Sequence, residues 1–321
     1  MRHTAPRENS LPRHTHSLLR PGALAKLEKT LQSRQIIAHY ARTNLADVSA
    51  DFQGIPQIGM YRCEVSDLVH FYPLVVGKAS LYEQLQRHSW YYMEQKGEYK
   101  VACEYVQPDD YALEIGCGQG HFAAFLPSVN YTGLEYNNQA VAACRNKGLN
   151  VRATALKYFA RRNKDRFDVV CAFQVLEHVP DPRSFIASCV YCLKPGGRLI
   201  LSVPAEDSFI GLVPNCCTNL PPHHITRWSD KALLAIREEF NLSELRLLSL
   251  PLENFHHNFY CDSIAGYEAC RKIGLDHTLV DIEILDKVCE WKTTLLPDVK
   301  KRFGENFRDI RGHDVLVIGV K

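Results

Sequence analysis

From Asp109 onward, short apolar runs alternate with segments of helical periodicity. YALEIG, NYTGLEY, FDVVCAF and GRLILSVP are too continuously apolar to face water on either side. The stretches between and after them, HFAAFLPS, NQAVAACRNKG, PRSFIASCVYCL and SDKALLAIREEF, return apolar residues at helical spacing. Strands buried on both faces and separated by helices predict a parallel, doubly wound α/β sheet. Two later strands, ELRLLSL and HDVLVIGV, extend it. Between them, Leu275, Leu279, Ile282, Leu285, Val288 and Trp291 form a helical stripe, so residues 254–310 read as a helical insertion that caps the ligand edge or contacts a second copy in a homodimer. The core domain thus covers 109–321.

The first third is less regular. Residues 1–22 are polar and basic, are interrupted by Pro12 and Pro21, and read as a disordered leader. Residues 23–108 read as a largely helical extension. Leu24, Leu27, Leu31 and Ile37 suggest a helix over 23–42, followed by a strand around Ile58–Val65. Helices are expected from Ser80 to Val106, with an aromatic face at Trp90, Tyr91, Tyr92 and Tyr99.

Composition narrows the class. Of 321 residues, 46% are hydrophobic and 23% charged, enough for a large core and too apolar for extensive disorder. The 38 basic and 36 acidic residues leave a formal charge of +2, which supplies no general attraction to nucleic acid or an anionic membrane. No apolar run approaches the roughly 20 residues of a membrane span, and the N-terminus lacks the apolar centre of a secretory signal. The 12 cysteines follow no zinc-ribbon spacing. A reducing, cytoplasmic setting is expected.

The densest chemical signal is Leu113-Glu114-Ile115-Gly116-Cys117-Gly118-Gln119-Gly120, a buried strand running into three glycines at alternate positions before a helix. Glycines there let the backbone turn tightly and approach a ligand at the carboxyl edge of the sheet. Glu135 ends the next strand, roughly 20 residues on, where a doubly wound nucleotide site places an acceptor for ribose hydroxyls. A nicotinamide dehydrogenase would satisfy both features equally well. The segments Phe173-Gln174-Val175-Leu176-Glu177-His178-Val179-Pro180-Asp181-Pro182 and Leu193-Lys194-Pro195-Gly196-Gly197 decide against it.

In this order, EIGCGQG, LEY, FDVVCAFQVLEHVPDP and LKPGGRLILSVP resemble the class I S-adenosylmethionine-dependent methyltransferases of the ubiquinone-biosynthesis-like type, over roughly residues 112–204. The flanks MYRC, FYPLVVG, LYEQL, WYYMEQKGEY and PPHHITRW are similar to bacterial methyltransferases of unassigned substrate. The resemblance implies a Rossmann-like sheet of seven strands with an antiparallel last strand. It implies S-adenosylmethionine as cofactor, with Glu114, Gly116, Cys117, Gly118, Gln119 and Gly120 around its methionine moiety. Glu135 would hold the ribose and Tyr136 lie against the adenine, while Phe173, Gln174 and Leu176 line the floor near the sulfonium. Many relatives place an acid after the third strand to contact the adenine amino group; Arg152-Ala153-Thr154-Ala155-Leu156 offers none.

The expected reaction is methyl transfer to a small molecule or glycan, with an oxygen acceptor preferred. A catalytically inactive cofactor-binding or interaction protein is the alternative. His178, His223 and His224 are the candidate general bases, since all three fall on loops at the carboxyl edge. A second cysteine often follows the first in the similar bacterial group; here Cys63 is followed by Glu64-Val65-Ser66, so no metal is expected.

Overall fold

The computed structural model describes residues 10–88, 90–91, 93–127, 130–304 and 306–321. Residues 1–9 of the expected leader, and Tyr92, lie outside the described residues. The rest of that leader is built into the fold. β1 (His14–His16) pairs antiparallel with β2 (Leu24–Gln32), and Leu19 between them is fully buried. The Arg183 guanidinium donates to Leu19 O at 2.7 Å, and the Tyr61 hydroxyl donates to Pro12 O at 2.7 Å.

The helix expected over 23–42 is therefore corrected to a strand followed by a shorter helix, α1 (Ser33–Arg42). Leu27 and Leu31 are four apart, which satisfies helical spacing but also strand alternation. Ala25, Leu27, Lys29 and Leu31 are the less exposed set along β2, so the period is two. β3 (Gln57–Cys63) and β4 (Val69–Tyr72) continue this antiparallel sheet, and two short helices follow, α2 (Ala79–Leu85) and α3 (Gly97–Ala102). The extension is thus built on a sheet as well as on helices.

The second part alternates as the apolar pattern predicts, except that HFAAFLPS, expected as a helix, forms only a short 3-10 turn at Phe122–Phe125 between the first two strands. In chain order it comprises β5 (Tyr111–Ile115), β6 (Asn130–Leu134), α4 (Asn138–Asn146), β7 (Val151–Arg152), α5 (Leu156–Ala160), β8 (Phe167–Phe173), α6 (Pro182–Cys192) and β9 (Leu193–Pro204). β10 (Thr226–Arg227), α7 (Asp230–Glu239), β11 (Glu244–Pro251), α8 (His257–Lys272), α9 (Ile282–Phe303) and β12 (Arg311–Val320) complete it. The seven-stranded sheet runs β11-β12-β9-β8-β5-β6-β7, and β12 is antiparallel to both of its neighbours. Lys194 to Gly197 form a bulge inside β9, with Gly196 at φ +77°.

Helix starts follow local chemistry. Asn137 caps α4 by accepting from Gln139 N and Ala140 N, and Asp181 caps α6 with Pro182 in its first turn. Val169, Val170, Leu199 and Leu201 are fully buried, each contributing about 1.5–3 kcal/mol relative to exposure.

Two features position the site. From β5 the chain winds to β6 and β7 on one side, then crosses to β8 and β9 on the other, so a topological switch point lies between β5 and β8 at the carboxyl edge. In addition, β10 leaves the long loop after β9 to pair with β4, Thr226 opposite His70. That pairing ties the loop carrying His223 and His224 to the N-terminal sheet.

Candidate active site

At the end of β5 the chain turns on its glycines. Gly116 N and Cys117 N both donate to Leu134 O, at 2.8 and 3.1 Å. Gly116, Gly118 and Gly120 hold φ of +70°, +51° and +75°, a region that L side chains rarely adopt. A Cβ at Gly116 would also stand 2.6 Å from Val175 Cγ2. Glu135, at the end of β6, accepts from Gly118 N at 2.9 Å, and from Tyr136 N and Asn137 N at 2.6 and 2.8 Å. Its carboxylate therefore shapes the glycine loop as well as facing the cleft beside it.

That cleft encloses about 1750 Å³ at the switch point, more than the ~300–1,000 Å³ of an ordinary small-molecule site. It has room for a nucleoside cofactor and an acceptor together. Gly116, Cys117, Gly118, Gln119, Glu135, Tyr136, Phe173 and Gln174 line it, as do His178, His223 and His224. Three expected residues lie off its wall. Leu176 packs into the main core, Gly120 backs onto Leu149 and Cys144, and Glu114 is buried beneath the loop, where the Tyr131 hydroxyl donates to it at 2.6 Å. Burial pushes the Glu114 carboxyl up to about 8.

The wall fits S-adenosylmethionine. Glu135 Oε2 takes a single backbone N–H and keeps lone-pair capacity for ribose hydroxyls. Tyr136 is 74% exposed at the rim, free to cover a purine. Thr154, Ala155, Leu156 and Lys157 border the same end, where the expected adenine acid is missing.

At the other end the three histidines converge. His178 Nδ1 donates to His223 O at 2.7 Å, His223 Nδ1 to Thr218 O at 2.9 Å, and His224 Nδ1 lies 3.2 Å from Asn219 Oδ1. An Nδ1 that donates leaves Nε2 of a neutral imidazole as a lone pair. One ligand atom of each ring lies within 4.8 Å of the others, close enough for a single ion to bridge them. Glu177, 1% exposed, sets Oε1 at 3.8 Å from His178 Nε2 and 3.9 Å from His224 Nε2, and neither of its carboxyl oxygens has a hydrogen-bond partner. Burial lowers His178 to about 4 and His223 to about 3, and pushes Glu177 up to about 8. These are neutral imidazoles beside a protonated acid at neutral pH.

Sequence reasoning passed over several polar groups on this wall. Lys96 and Glu98 come from the start of α3, Glu253 from just before the insertion, and His313 and Asp314 from β12. Gln174, in the left-handed region at φ +55°, donates to Ser202 Oγ and Asp314 Oδ1 at 2.8 and 3.0 Å. The one local signal was Asp314, an acid leading an otherwise apolar strand. The rim is apolar, with Trp90, Met93, Phe255 and Phe259.

The chain is similar to known proteins over part of its length. The methyltransferase domain family matches residues 87–261. A ubiquinone biosynthesis O-methyltransferase of Serratia proteamaculans is 33% identical over 102 residues, covering 29% of this chain and 42% of the relative. One from Pseudomonas aeruginosa is 34% identical over 155 residues, covering 41% of this chain and 67% of the relative. The chain thus matches only about half the length of several of these curated relatives. A solved S-adenosylmethionine-dependent methyltransferase from Archaeoglobus fulgidus superposes with a TM-score of 0.49 at 17% identity, over 75% of this chain and 98% of that one. A family match across more than half of the chain, including the glycine loop and the loops after β8 and β9, means that this protein belongs to the methyltransferase domain family, with S-adenosylmethionine as its cofactor.

Proposed function

We propose that this chain moves the methyl group of S-adenosylmethionine to a hydroxyl oxygen of a small molecule or glycan. The observation that carries this reading is the continuity of one cleft, from the glycine loop and Glu135 to the pocket of Glu177, His178, His223 and His224. When bound, the cofactor supplies an electrophilic methyl on a cationic sulfur. The chain's own part is mainly alignment, worth up to several kcal/mol of barrier when the reacting atoms are held in line. Glu135 anchors the ribose, and Phe173 and Gln174 form the floor. The Nε2 lone pairs of the histidines accept hydrogen bonds from polar groups of the acceptor, while the aromatic rim keeps bulk water out. The O-methyltransferase names of the similar curated proteins support an oxygen acceptor. The absence of any helix long and apolar enough to cross a membrane, among the described residues, is compatible with a cytoplasmic enzyme.

Transfer of labelled methyl from S-adenosylmethionine into a metabolite pool tests the reading, with Glu135→Ala as control. The variant should bind S-adenosylhomocysteine about 1.5–3 kcal/mol more weakly, as for hydrogen bonds from a charged group. Cofactor binding with no label in any acceptor would leave a cofactor-binding protein without catalysis.

A second reading of the polar end rests on the orphaned Glu177 and the convergent histidines. The three histidines have the donor set of a divalent cation site, with Glu177 beside two of them, and there an ion would orient the acceptor oxygen and lower its pKa.

A further inference from the structure

We propose that Glu98, seated against Asp314, is the group that takes the proton from the acceptor hydroxyl. This rests on the methyltransferase reading above and adds a catalytic residue to it.

Glu98 reaches the cleft from the first turn of α3, 2% exposed. Glu253, just before the insertion, accepts from Gly97 N at 2.7 Å and pins that turn in place. Glu98 Oε1 has no hydrogen-bond partner although it is buried on the cleft wall, and its nearest cation, Lys96 Nζ, stands off at 3.7 Å. Glu98 also interacts with Asp314 and Gln174. Gln174 donates to Asp314 Oδ1 at 3.0 Å, and His313 Nε2 lies 3.2 Å from the same oxygen. Two carboxyl groups in contact share a proton readily, since both cannot ionise at low cost. The result is a buried carboxyl oxygen without a hydrogen-bond partner on a residue of the cleft wall, with Lys96 Nζ 3.7 Å away and a second carboxyl close by.

The alternative bases are poorly matched to neutral pH. Burial leaves His178 at about 4 and His223 at about 3, so they release a proton far more readily than they take one. Glu98 is pushed up by burial, and then by the Asp314 charge, to about 7, and a general base works best when its pKa lies near the operating pH. In the step, Glu98 takes the hydroxyl proton as the acceptor oxygen bonds to the methyl carbon. The carbon–sulfur bond breaks and its electron pair stays on sulfur. Carboxylate and sulfonium thereby become carboxylic acid and neutral thioether, and charge balances without another reactant.

The test uses the full chain and two cofactor analogues, so no acceptor need be known. Sinefungin carries a protonated amine where the cofactor carries its methyl; S-adenosylhomocysteine carries nothing there. The wild type should bind sinefungin at least about tenfold more tightly than S-adenosylhomocysteine by calorimetry. Glu98→Gln should cut that preference by about fivefold or more while leaving S-adenosylhomocysteine affinity unchanged. An unaltered preference in Glu98→Gln overturns the assignment. If the variant loses both ligands, the wild-type preference measured from pH 6 to 8.5 decides: it must rise as Glu98 ionises among Lys96, Asp314, His313 and Glu253, and a flat profile overturns the proposal. Failure of the wild type to bind either analogue would instead refute the cofactor-dependent reading on which it stands.

Discussion

Glu177 holds its proton in the folded chain up to about pH 8, whereas an ordinary glutamate ionises near 4.5, and the cause is burial. Above pH 6.5 the unfolded chain has already released that proton, so the folded state binds more protons and stability falls as pH rises toward 8.5. Glu98 and Glu114, raised to about 7 and about 8, act in the same window and direction. His178 and His223 act on the other flank: depressed to about 4 and about 3, they withdraw stability as pH falls below 6.5. Melting temperatures at pH 6.5 and 8.5 should therefore decline in the wild type, with a shallower decline in Glu177→Gln because two other carboxyls still titrate. Identical slopes would show that Glu177 is not protonated in the fold. At this scale Glu135 was legible, because a strand end after a glycine turn is a local arrangement. Glu98 was not, because a lone acid in a short helix looks like any solvated residue until Asp314, 216 positions later, is brought beside it.

The leader and β2 show how an element can be misread from spacing alone. Apolar residues four apart serve either a helix or a strand, and the exposed Leu24 at 43% lent the helical reading a member that the strand leaves in solvent. What holds 10–22 in place is tertiary: the β1–β2 pairing, the bond from Arg183 to Leu19 O, and the Leu19 side chain sunk among Ala25, Leu68 and the β-sheet core. Leu19→Ala should cost about 2–5 kcal/mol in denaturant unfolding, as expected for truncating a fully buried leucine. A cost within about 0.5 kcal/mol, normal for an exposed position, would restore the leader to a loose tail.

Across the whole molecule, the two loops that carry the histidines are held by different sheets, His178 after β8 and His223 with His224 before β10. An ion shared by them would cross-link the two units, so cobalt(II) should raise the melting temperature of the wild type and produce visible absorption bands of a nitrogen-ligated site. His224→Ala should abolish both, and a wild type indifferent to cobalt would remove the cation reading and leave the three imidazoles as hydrogen-bond acceptors. What the sequence by itself determined is the part written in neighbours: doubly apolar strands, capped helices, the glycine turn and the acid ending the second strand, each a pattern within one or two adjacent elements. The antiparallel last strand and the cofactor followed from motif order through resemblance. The sequence placed the histidines and Gln174 at the same edge of the sheet, but the tertiary structure alone decided that Glu98, Glu177 and Asp314 share that wall with them. Those three come from α3, from the loop after β8 and from β12, and their nearness depends on packing that no local spacing encodes.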